Sequence, residues 1–580
     1  MSVARIPLAL AAMTALVYGW RLDYSPIHLH YDEIFFALQG HSIQSTGRDL
    51  NGRLLPLYFQ LESSMNWYQP AAVYWTALVL MVAPLSDAMV RLPTVMVGVA
   101  NVVLMYFVAR QLFKHTGWAV LAAVLLMLTP AHFIHSRLAM DYVYPLPFIL
   151  GWLLCLLRYL EQPTNRRLFL AATCLGLGFF SYIAASALTP QYFVATLALL
   201  WFHGEFTKRA VVATAGFAWP FVALVIFLLA YPDVVSDLMR KYRLGTAAPS
   251  GLDPLQQLRE SVNVRTVSDL LNMFHRFFSP GYLFVTGGSN LTNSTGQAGV
   301  FLLPIAVVLI AGVRRVLTTP EPIGLILLMG FVTAPIPALV LPDDYAIDRE
   351  LALLPFAVLL ATIGVQRIWQ HPLRRSPKLL CAALAALIGI VAVGYAVVTV
   401  MSRGRISGST VLLMAVAAGI FLVGAAMERD RTWQPLALAL LLLVPLQFLQ
   451  FRSDYYGAYR PRAAGWFGGN IRGAVEEVMR LDQADPAPEL HLSTDIPYIR
   501  SYWRFYQLVH GREDLSSRTK VFDGANIDLG NVPPNSLLLA AANDPVVNAL
   551  VQRGEIRQVS GAGDPSEAGD PVPQFTIYRR

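Results

Sequence analysis

Long apolar stretches alternate with short polar ones from the N-terminus to about Gln450. Each apolar stretch has close to the ~20 residues that an α-helix needs to cross the hydrocarbon core of a bilayer. A soluble protein could not bury so many of them. The pattern predicts an α-helical polytopic membrane protein with about thirteen spans, near residues 6–21, 89–110, 117–134, 143–160, 167–183, 188–203, 210–231, 299–316, 322–341, 350–368, 379–401, 409–427 and 433–451.

The charge pattern gives the predicted spans an orientation. One apolar stretch, residues 71–85, is short and carries Tyr74, Trp75 and Pro84, so we interpret it as an interfacial helix that does not cross. Every strongly basic loop then falls on one side of the membrane. The preference of Lys and Arg for cytoplasmic loops identifies that side as the cytoplasm. The sequence therefore predicts a cytoplasmic N-terminus and a C-terminus outside the cytosol.

Three long segments then lie outside, at about 22–88, 232–298 and from 452 onward. The second contains apolar residues that share one helix face, and we expect that helix to lie on the membrane surface. These residues are Val267, Leu270, Leu271, Phe274, Phe277 and Phe278.

In the third segment, short apolar runs at 489–492, 536–541 and 575–578 alternate with helical stretches. This alternation predicts a small C-terminal α/β domain at 452–580, after a transmembrane domain at 1–451.

Composition excludes other classes of protein. Charged residues make up 14% of the 580 residues, against about a quarter in soluble domains. The net charge of +7 comes largely from short loops, and no basic run or zinc spacing accompanies it, so we expect no nucleic-acid partner. Cys155, Cys174 and Cys381 all lie in apolar stretches and offer neither a CxxC-type metal site nor a disulfide framework.

Acidic residues cluster near the predicted outer ends of the spans. Asp32 and Glu33 are adjacent, so one carboxylate could accept a proton while the other orients a substrate or binds a cation. An ordinary solvated loop explains them equally well. Asp32 and His30 could also be ligands of a divalent metal, although interfacial histidines more often only form hydrogen bonds. A divalent cation is the one cofactor that the sequence suggests.

Two further clusters carry arginine. Arg137 and Asp141 are four residues apart and would share a helix face, as a structural ion pair or as functional groups. Arg349 lies among Asp343, Asp344, Asp348 and Glu350. A guanidinium there can bind a phosphate through two parallel hydrogen bonds, unless the cluster only neutralises itself.

The exit of the last predicted span is aromatic and basic. It includes Tyr455, Tyr456 and Arg460, which fit an interfacial belt or a platform for a sugar or a phosphate.

In this order, the motifs resemble the GT-C glycosyltransferases. The relevant branch includes protein O-mannosyltransferases, the aminoarabinose transferase acting on lipid A and rhizobial-type galacturonosyl transferases. Tyr31-Asp32-Glu33 resembles the acidic motif of the first extracytoplasmic loop in that branch. The other similar stretches are Tyr68–Trp75 (a Lys-Pro-Pro-x-x-Tyr-Trp segment in the branch), Val90–Pro93, Arg137 to Asp141 and Phe278–Phe284.

One departure from the branch concerns the charge that meets the donor phosphate. Gln69 stands where the branch has a Lys, and an amide can hydrogen-bond a phosphate but cannot neutralise it. Arg91, Arg137 or Arg349 would then supply the positive charge, or a metal ion would.

The resemblance implies a glycosyltransferase of the bacterial inner membrane with its active site facing the periplasm. The donor would be a sugar on a polyprenyl phosphate, and the acceptor a lipid A or lipopolysaccharide core, another glycan or a protein. Asp32 would be the general base of an inverting transfer, and Asp141 a second carboxylate that positions the acceptor or binds a cation.

The alternatives are a transporter or flippase and a structural subunit. Transporters tend to place charges at mid-membrane and to show repeated halves, whereas the acids here lie at outer span ends.

The predicted topology can be tested with reporter fusions. A cytosol-active reporter fused after Arg580 should be silent, whereas the same reporter fused after Arg375 should be active, because the positive-inside bias places the two sites on opposite sides. Immunoblotting checks that both fusions are made in equal amounts. Activity of the C-terminal fusion would refute the odd number of spans.

Overall fold

The computed structural model describes most of the chain, at residues 5–61, 66–204, 206–232, 234, 264–340, 346–370, 434–523, 527, 529–565 and 571–580, with scattered residues between 382 and 419. Two compact units emerge from the backbone contacts. Unit 1 comprises residues 1–18, 96–136 and 142–454, and unit 2 comprises residues 19–95, 137–141 and 455–580.

Helices dominate the described residues. In chain order, α1 to α20 are Arg5–Gly19, Tyr31–Thr46, Pro70–Leu80, Asp87–Phe113, Thr116–Met127, Pro130–His135, Pro145–Glu161, Asn165–Gly178, Ala185–Phe202, Phe206–Ala218, Phe221–Ala230, Val264–Arg276, Leu303–Thr318, Pro322–Thr333, Leu353–Gln370, Gln434–Tyr456, Tyr459–Ala463, Ile471–Ala484, Ile499–His510 and Pro545–Gln552. Proline stands at the start of several of them, including Pro70, Pro145 and Pro545, where its missing N–H costs no intrahelical hydrogen bond.

Six stretches in the described part of the chain are long and apolar enough to cross a membrane, and a seventh is added if the pair α10–α11, bent by 44°, is one span. The six are Asp87–Phe113, Asp141–Glu161, Ala185–Phe202, Pro322–Leu339, Leu353–Gln370 and Ala437–Tyr456. These stretches confirm a polytopic membrane protein. The count of thirteen stays a prediction, and the spans expected near 379–401 and 409–427 lie largely outside the described residues.

Two predicted surface helices are present as helices. Residues 71–85 contain α3, whose 11 residues are too few to span a bilayer. The predicted amphipathic segment contains α12, at Val264–Arg276. Their positions at the membrane surface stay predictions.

In unit 1, glycines allow two membrane helices to pack backbone against backbone. A Cβ on Gly312 of α13 would collide with the carbonyl oxygen of Leu360 in α15, and one on Gly364 would collide with that of Val308. Larger side chains at these positions would force the helices apart.

Unit 2 contains a five-stranded sheet in the order β4-β3-β5-β7-β6. β3 pairs in parallel with β4 and β5, whereas β7 pairs antiparallel with β5 and β6. The strands are β3 Leu490–Ser493, β4 Thr519–Phe522, β5 Leu537–Ala541, β6 Arg557–Pro565 and β7 Pro571–Arg579, after a short hairpin of β1 Phe59–Gln60 and β2 Trp67–Tyr68. The three apolar runs noted in the sequence lie on β3, β5 and β7.

The core of unit 2 joins segments from distant parts of the sequence. One apolar cluster contains Leu29, Ile34 and Leu38, which lie on α2 or just before it. The same cluster contains residues of α18, α19 and the sheet, such as Ile499 and Ile577. The helix that carries Asp32 and Glu33 therefore rests on the C-terminal α/β segment. The predicted split into 1–451 and 452–580 stays a prediction, since the unit that holds 455–580 also takes in 19–95 and 137–141.

Candidate functional site

The first turn of α2 carries the two adjacent acids, and a cap on the helix N-terminus holds them there. The Nδ1 atom of His30 accepts a hydrogen bond from the Asp32 N–H at 3.3 Å, and the Glu33 carboxylate accepts one from the His30 N–H at 2.9 Å. This is a capping box with histidine in place of the usual Ser or Thr. Burial lowers the pKa of the His30 imidazole, against the opposing effect of the Asp32 and Glu33 carboxylates, so His30 is neutral and can accept.

Glu33 forms a buried, two-pronged ion pair with Arg91. The distances are 2.8 Å from Nε to Oε1 and 3.0 Å from Nη2 to Oε2, and both side chains are at most 1% exposed. Oε1 of Glu33 also accepts the N–H of Ala139 at 2.9 Å. Bidentate pairing with extra hydrogen bonds is what makes a buried charge pair tolerable.

Arg91 uses every N–H of its guanidinium on protein acceptors. Beyond Glu33, it donates to the carbonyls of Leu22, Pro26 and His28 at 2.6–3.0 Å. Five donors are thus matched, which is the full inventory of an arginine. The geometry favours a structural clamp for Arg91, whereas the sequence suggested contact with the donor phosphate.

Asp32 is less buried than Glu33 and Arg91. Its Oδ1 accepts a hydrogen bond from the hydroxyl of Tyr68 at 2.7 Å, and the residue remains 8% exposed. Burial first, and then the Asp32 carboxylate, raises the pKa of the Tyr68 hydroxyl far above its ordinary value, so the phenol stays a donor. Phe35 and Phe36 pack against the Tyr68 ring, with centroids 4.8 and 5.3 Å away. Tyr68 therefore fixes the direction of the Asp32 carboxylate.

A third candidate acid of unit 2 lies close by. Asp141 is 3% exposed, begins a 3₁₀ turn, and adds to the raised pKa of Tyr68 through its charge, which places it near the Asp32–Tyr68 pair. Gln69 is buried and is the N-cap residue of α3, without a side-chain hydrogen bond to that helix.

Arg137 is fully buried against the backbone of residues 21–25. Its Nη2 donates to the carbonyls of Arg21 at 3.1 Å and Ser25 at 2.7 Å, and its guanidinium lies 5.3–5.5 Å from the ring centroids of Tyr455 and Tyr456. The aromatic and basic residues predicted at the exit of the last span contact residues 20–25 as well. We call them the collar: Tyr455, Tyr456 and Arg460.

Each of the three collar residues has a partner in residues 20–25. The backbone carbonyl of Tyr455 accepts from Ser25, the hydroxyl of Tyr456 donates to Trp20, and Arg460 stacks on Tyr24 at 3.6 Å. A role of the collar as a substrate platform stays a prediction.

In unit 1, Arg349 ends a 3₁₀ turn, with its side chain 15% exposed. Asp348 accepts hydrogen bonds from Tyr182 at 2.9 Å and Asn293 at 3.5 Å, and Glu350 is fully buried and accepts from Tyr282. Nε of Arg349 and Oε2 of Glu350 are buried atoms without a hydrogen-bond partner. Such atoms are rare in native proteins unless a ligand or water meets them. Asp343 and Asp344 lie outside the described residues.

The metal prediction has a limited structural basis. Within the described ranges, no group of three or more His, Cys, Asp or Glu side chains is arranged to hold a metal ion. His30 uses Nδ1 to cap α2, and this nitrogen lies 3.6 Å from Oδ2 of Asp32. Metal dependence stays a prediction.

Three features of the site were missed in the sequence. The pairing of Glu33 with Arg91 joins residues 58 positions apart, and no local spacing signals it. His30 was weighed as a ligand and not as a helix cap. Tyr68 is singled out in the sequence only as part of a motif, and no local spacing signals its hydrogen bond to Asp32, 36 residues earlier.

Comparisons with known proteins bear on the family and the fold of the chain. Residues 69–233 match the model of the family described as dolichyl-phosphate-mannose-protein mannosyltransferase. No curated protein matches the chain by sequence. The fold is similar to that of ArnT from Cupriavidus metallidurans bound to undecaprenyl phosphate, with a TM-score of 0.58 and 13% identity, and to its apo state, with a TM-score of 0.57 and 13% identity. Each alignment covers 100% of this chain and 98% of ArnT. The matches confirm the resemblance to the GT-C superfamily and indicate a glycosyltransferase.

The clamp role of Arg91 predicts a loss of stability on its removal. Arg91→Ala leaves the Glu33 carboxylate buried and unpaired, which should lower the free energy of unfolding by about 3–5 kcal/mol. Arg91→Lys should recover only part of this, because an ammonium cannot make the two-pronged contact. Thermal unfolding of detergent-purified protein is the measurement.

Arg553→Ala is the matched control in the same unit. Its partner Glu555 is 3.8 Å away, and the Arg553 side chain is 70% exposed, so the change should leave the melting temperature nearly unaltered. Equal melting temperatures for Arg91→Ala and Arg553→Ala would contradict the clamp.

Proposed function

We propose that the chain transfers a sugar from a polyprenyl-phosphate-linked donor to a hydroxyl group of an acceptor outside the cytosol, with Asp32 as general base. The observation that carries the proposal is the Asp32 carboxylate, held in the first turn of α2 by a helix cap and directed by Tyr68. The similarity of the fold to ArnT, whose structure holds undecaprenyl phosphate, supports a lipid-phosphate donor.

The reaction is a single displacement. Asp32 takes the proton of the acceptor hydroxyl, and the acceptor oxygen forms a bond to the anomeric carbon of the sugar. The bond from that carbon to the phosphate oxygen breaks, and the polyprenyl phosphate leaves with the electron pair. One displacement inverts the configuration at the anomeric carbon.

Three carboxylates have different roles in this scheme. Asp32 is 8% exposed and accepts a hydrogen bond from the neutral phenol of Tyr68. Glu33 is committed to Arg91 and acts as a positioning residue. Asp141, near the Asp32–Tyr68 pair, positions the acceptor or binds a cation.

The leaving phosphate gains negative charge in the transition state and needs a positive partner. Arg91 has no N–H to offer, and Gln69 is neutral. We assign the contact to Arg349, whose Nε lies 4.0 Å from the Asp348 carboxylate and has no hydrogen-bond partner. A guanidinium matches phosphate oxygens in geometry as well as in charge.

The acceptor classes that suit this reaction are a lipid A or lipopolysaccharide core, another glycan or a protein, at the periplasmic face of a bacterial inner membrane. A flippase for the same lipid is the competing function. It would move the donor without breaking the sugar–phosphate bond, so release of free polyprenyl phosphate separates the two.

Asp32→Asn tests the general base. The substitution keeps the size of the side chain but removes its basicity, so single-turnover transfer should slow by about 10²–10⁴-fold. Donor binding should stay near that of the wild type, because lipid and phosphate meet other groups. The measurement is sugar transfer from a radiolabelled lipid donor beside equilibrium donor binding.

Asp23→Asn, at an exposed position in the same outer segment, is the control and should transfer normally. Wild-type rates in Asp32→Asn would remove Asp32 as the base. A parallel fall in donor affinity, rescued by added divalent metal, would instead point to a cation held between Asp32 and the phosphate.

Arg349 should behave in the opposite way to Asp32. Arg349→Ala removes a charged hydrogen bond worth about 1.5–3 kcal/mol, so donor affinity and rate should both fall by roughly tenfold to a hundredfold. Arg349→Lys should lose less affinity and rate, because an ammonium keeps the positive charge but cannot form two parallel hydrogen bonds with the phosphate. Arg314→Ala, an exposed arginine in the same unit, serves as control. Unchanged donor affinity in a well-folded Arg349→Ala chain would reject the assignment.

A further inference from the structure

Unit 2 contains a polar cavity that the proposed reaction does not use. Its volume is about 460 Å³, within the range of sites for small organic ligands. One wall comes from the C-terminal half of α2 and the other from α19 and the turn that follows it. The walls include Ser42, Ser45, Arg504, Glu513 and Ser516.

Hydroxyl groups give this cavity many hydrogen-bond acceptors. Ser42 donates its proton to the carbonyl of Arg48 at 2.8 Å, and Ser45 donates to the carbonyl of His41 at 2.8 Å. Ser516 donates to the side chain of Gln507 at 3.2 Å. A serine hydroxyl that donates its proton can still accept a hydrogen bond, so Ser42 and Ser45 offer acceptors to a ligand.

The charges of the cavity lining sum to zero, which favours a neutral ligand over an ionic one. Arg504 and Glu513 contribute one positive and one negative group. Burial lowers the pKa of His41, while Glu513 raises it and Arg504 lowers it, so the imidazole is neutral at neutral pH. The lining is neutral overall and offers both donors and acceptors. Leu38 adds an apolar surface. A molecule with a hydroxyl on nearly every carbon and apolar C–H faces between them fits this combination.

An aromatic pair lies at the start of the two helices that wall the cavity. The rings of Tyr31 and Tyr498 stack with centroids 4.4 Å apart and an interplanar angle of 10°. Tyr31 is the first residue of α2, and Tyr498 is the N-cap of α19 and 37% exposed. Both helices that wall the cavity therefore begin at this pair, which lies outside the cavity, and Tyr31 of the pair is next to Asp32 in the chain.

We propose that the cavity is a saccharide subsite, which holds part of a neutral oligosaccharide. Resting on the proposed function, we assign that oligosaccharide as the acceptor. Asp32 and Ser42 are ten residues apart on α2, about 15 Å at the rise of an α-helix. A glycan bound in the cavity thus needs more than one sugar residue to bring a hydroxyl to Asp32. Among the acceptor classes above, the glycan is the one that fits.

The binding test uses a pair of neighbouring serines. Both serines are exposed, and of the two only Ser516 lines the cavity. Detergent-purified full-length chain is applied to an array of defined neutral and acidic oligosaccharides, and the best ligand is titrated by calorimetry. Ser516→Tyr and Ser45→Tyr should weaken neutral-saccharide binding by about tenfold or more, the equivalent of one or two lost neutral hydrogen bonds. Ser517→Tyr should bind as the wild type does.

The subsite is overturned if no neutral saccharide binds the wild-type chain, if binding survives in both cavity variants, or if Ser517→Tyr loses it equally. Preference for inorganic phosphate or acidic glycans would also overturn it. Asp32→Asn should bind the saccharide normally, so saccharide binding is scored even if the transfer reaction fails its own test.

Turnover then decides the assignment as acceptor site. With the array ligand as acceptor, Ser516→Tyr should raise the acceptor KM by about tenfold while kcat and donor affinity stay near wild type. An unchanged acceptor KM together with lost saccharide binding would show a binding site that does not serve the reaction, and would overturn the acceptor assignment alone.

Discussion

The paired charges of Glu33 and Arg91 are the constraint on which the candidate site depends. A carboxylate and a guanidinium removed from water destabilise a fold unless both are fully matched. Here the guanidinium meets two carboxylate oxygens and three backbone carbonyls, and the carboxylate meets the N–H groups of His30 and Ala139 as well. The segment before α2, the first turn of α2 and the Arg137–Asp141 segment are fixed to one another by this single network.

Two neighbouring acids consequently have different chemical roles. Glu33 is fully buried and has its charge cancelled by a cation. Asp32, one residue earlier, points toward the hydroxyl of Tyr68 and keeps some exposure. Successive residues of a helix are rotated by about 100°, so the Glu33 side chain enters the buried clamp while that of Asp32 meets Tyr68. The orientation of Asp32, the proposed base, thus depends on its neighbour in the clamp.

Part of this organisation was predictable from the sequence, and part was not. Apolar periodicity and charge bias act over one segment at a time, so they predicted a polytopic membrane protein and runs that lie on β3, β5 and β7. The Tyr31-Asp32-Glu33 motif marked the turn in which the structure pairs Glu33 with Arg91, and the catalytic role of that turn stays a proposal. Sequence patterns could not show which acid is buried, because that depends on Arg91. They also could not show that Leu29 and Ile34 share a core with Ile499 and Ile577, because an apolar residue does not specify its partner.

The shared core of unit 2 has a consequence for biosynthesis. The hydroxyl of Tyr502 donates to the carbonyl of Leu29, 473 residues earlier in the chain, and α2 packs on elements that follow residue 470. The ribosome makes those elements after the transmembrane helices. Helix α2 therefore lacks these packing partners until the end of translation, although the Glu33–Arg91 pair can form earlier. A chain that ended before residue 470 would contain the clamp without the core on which α2 rests.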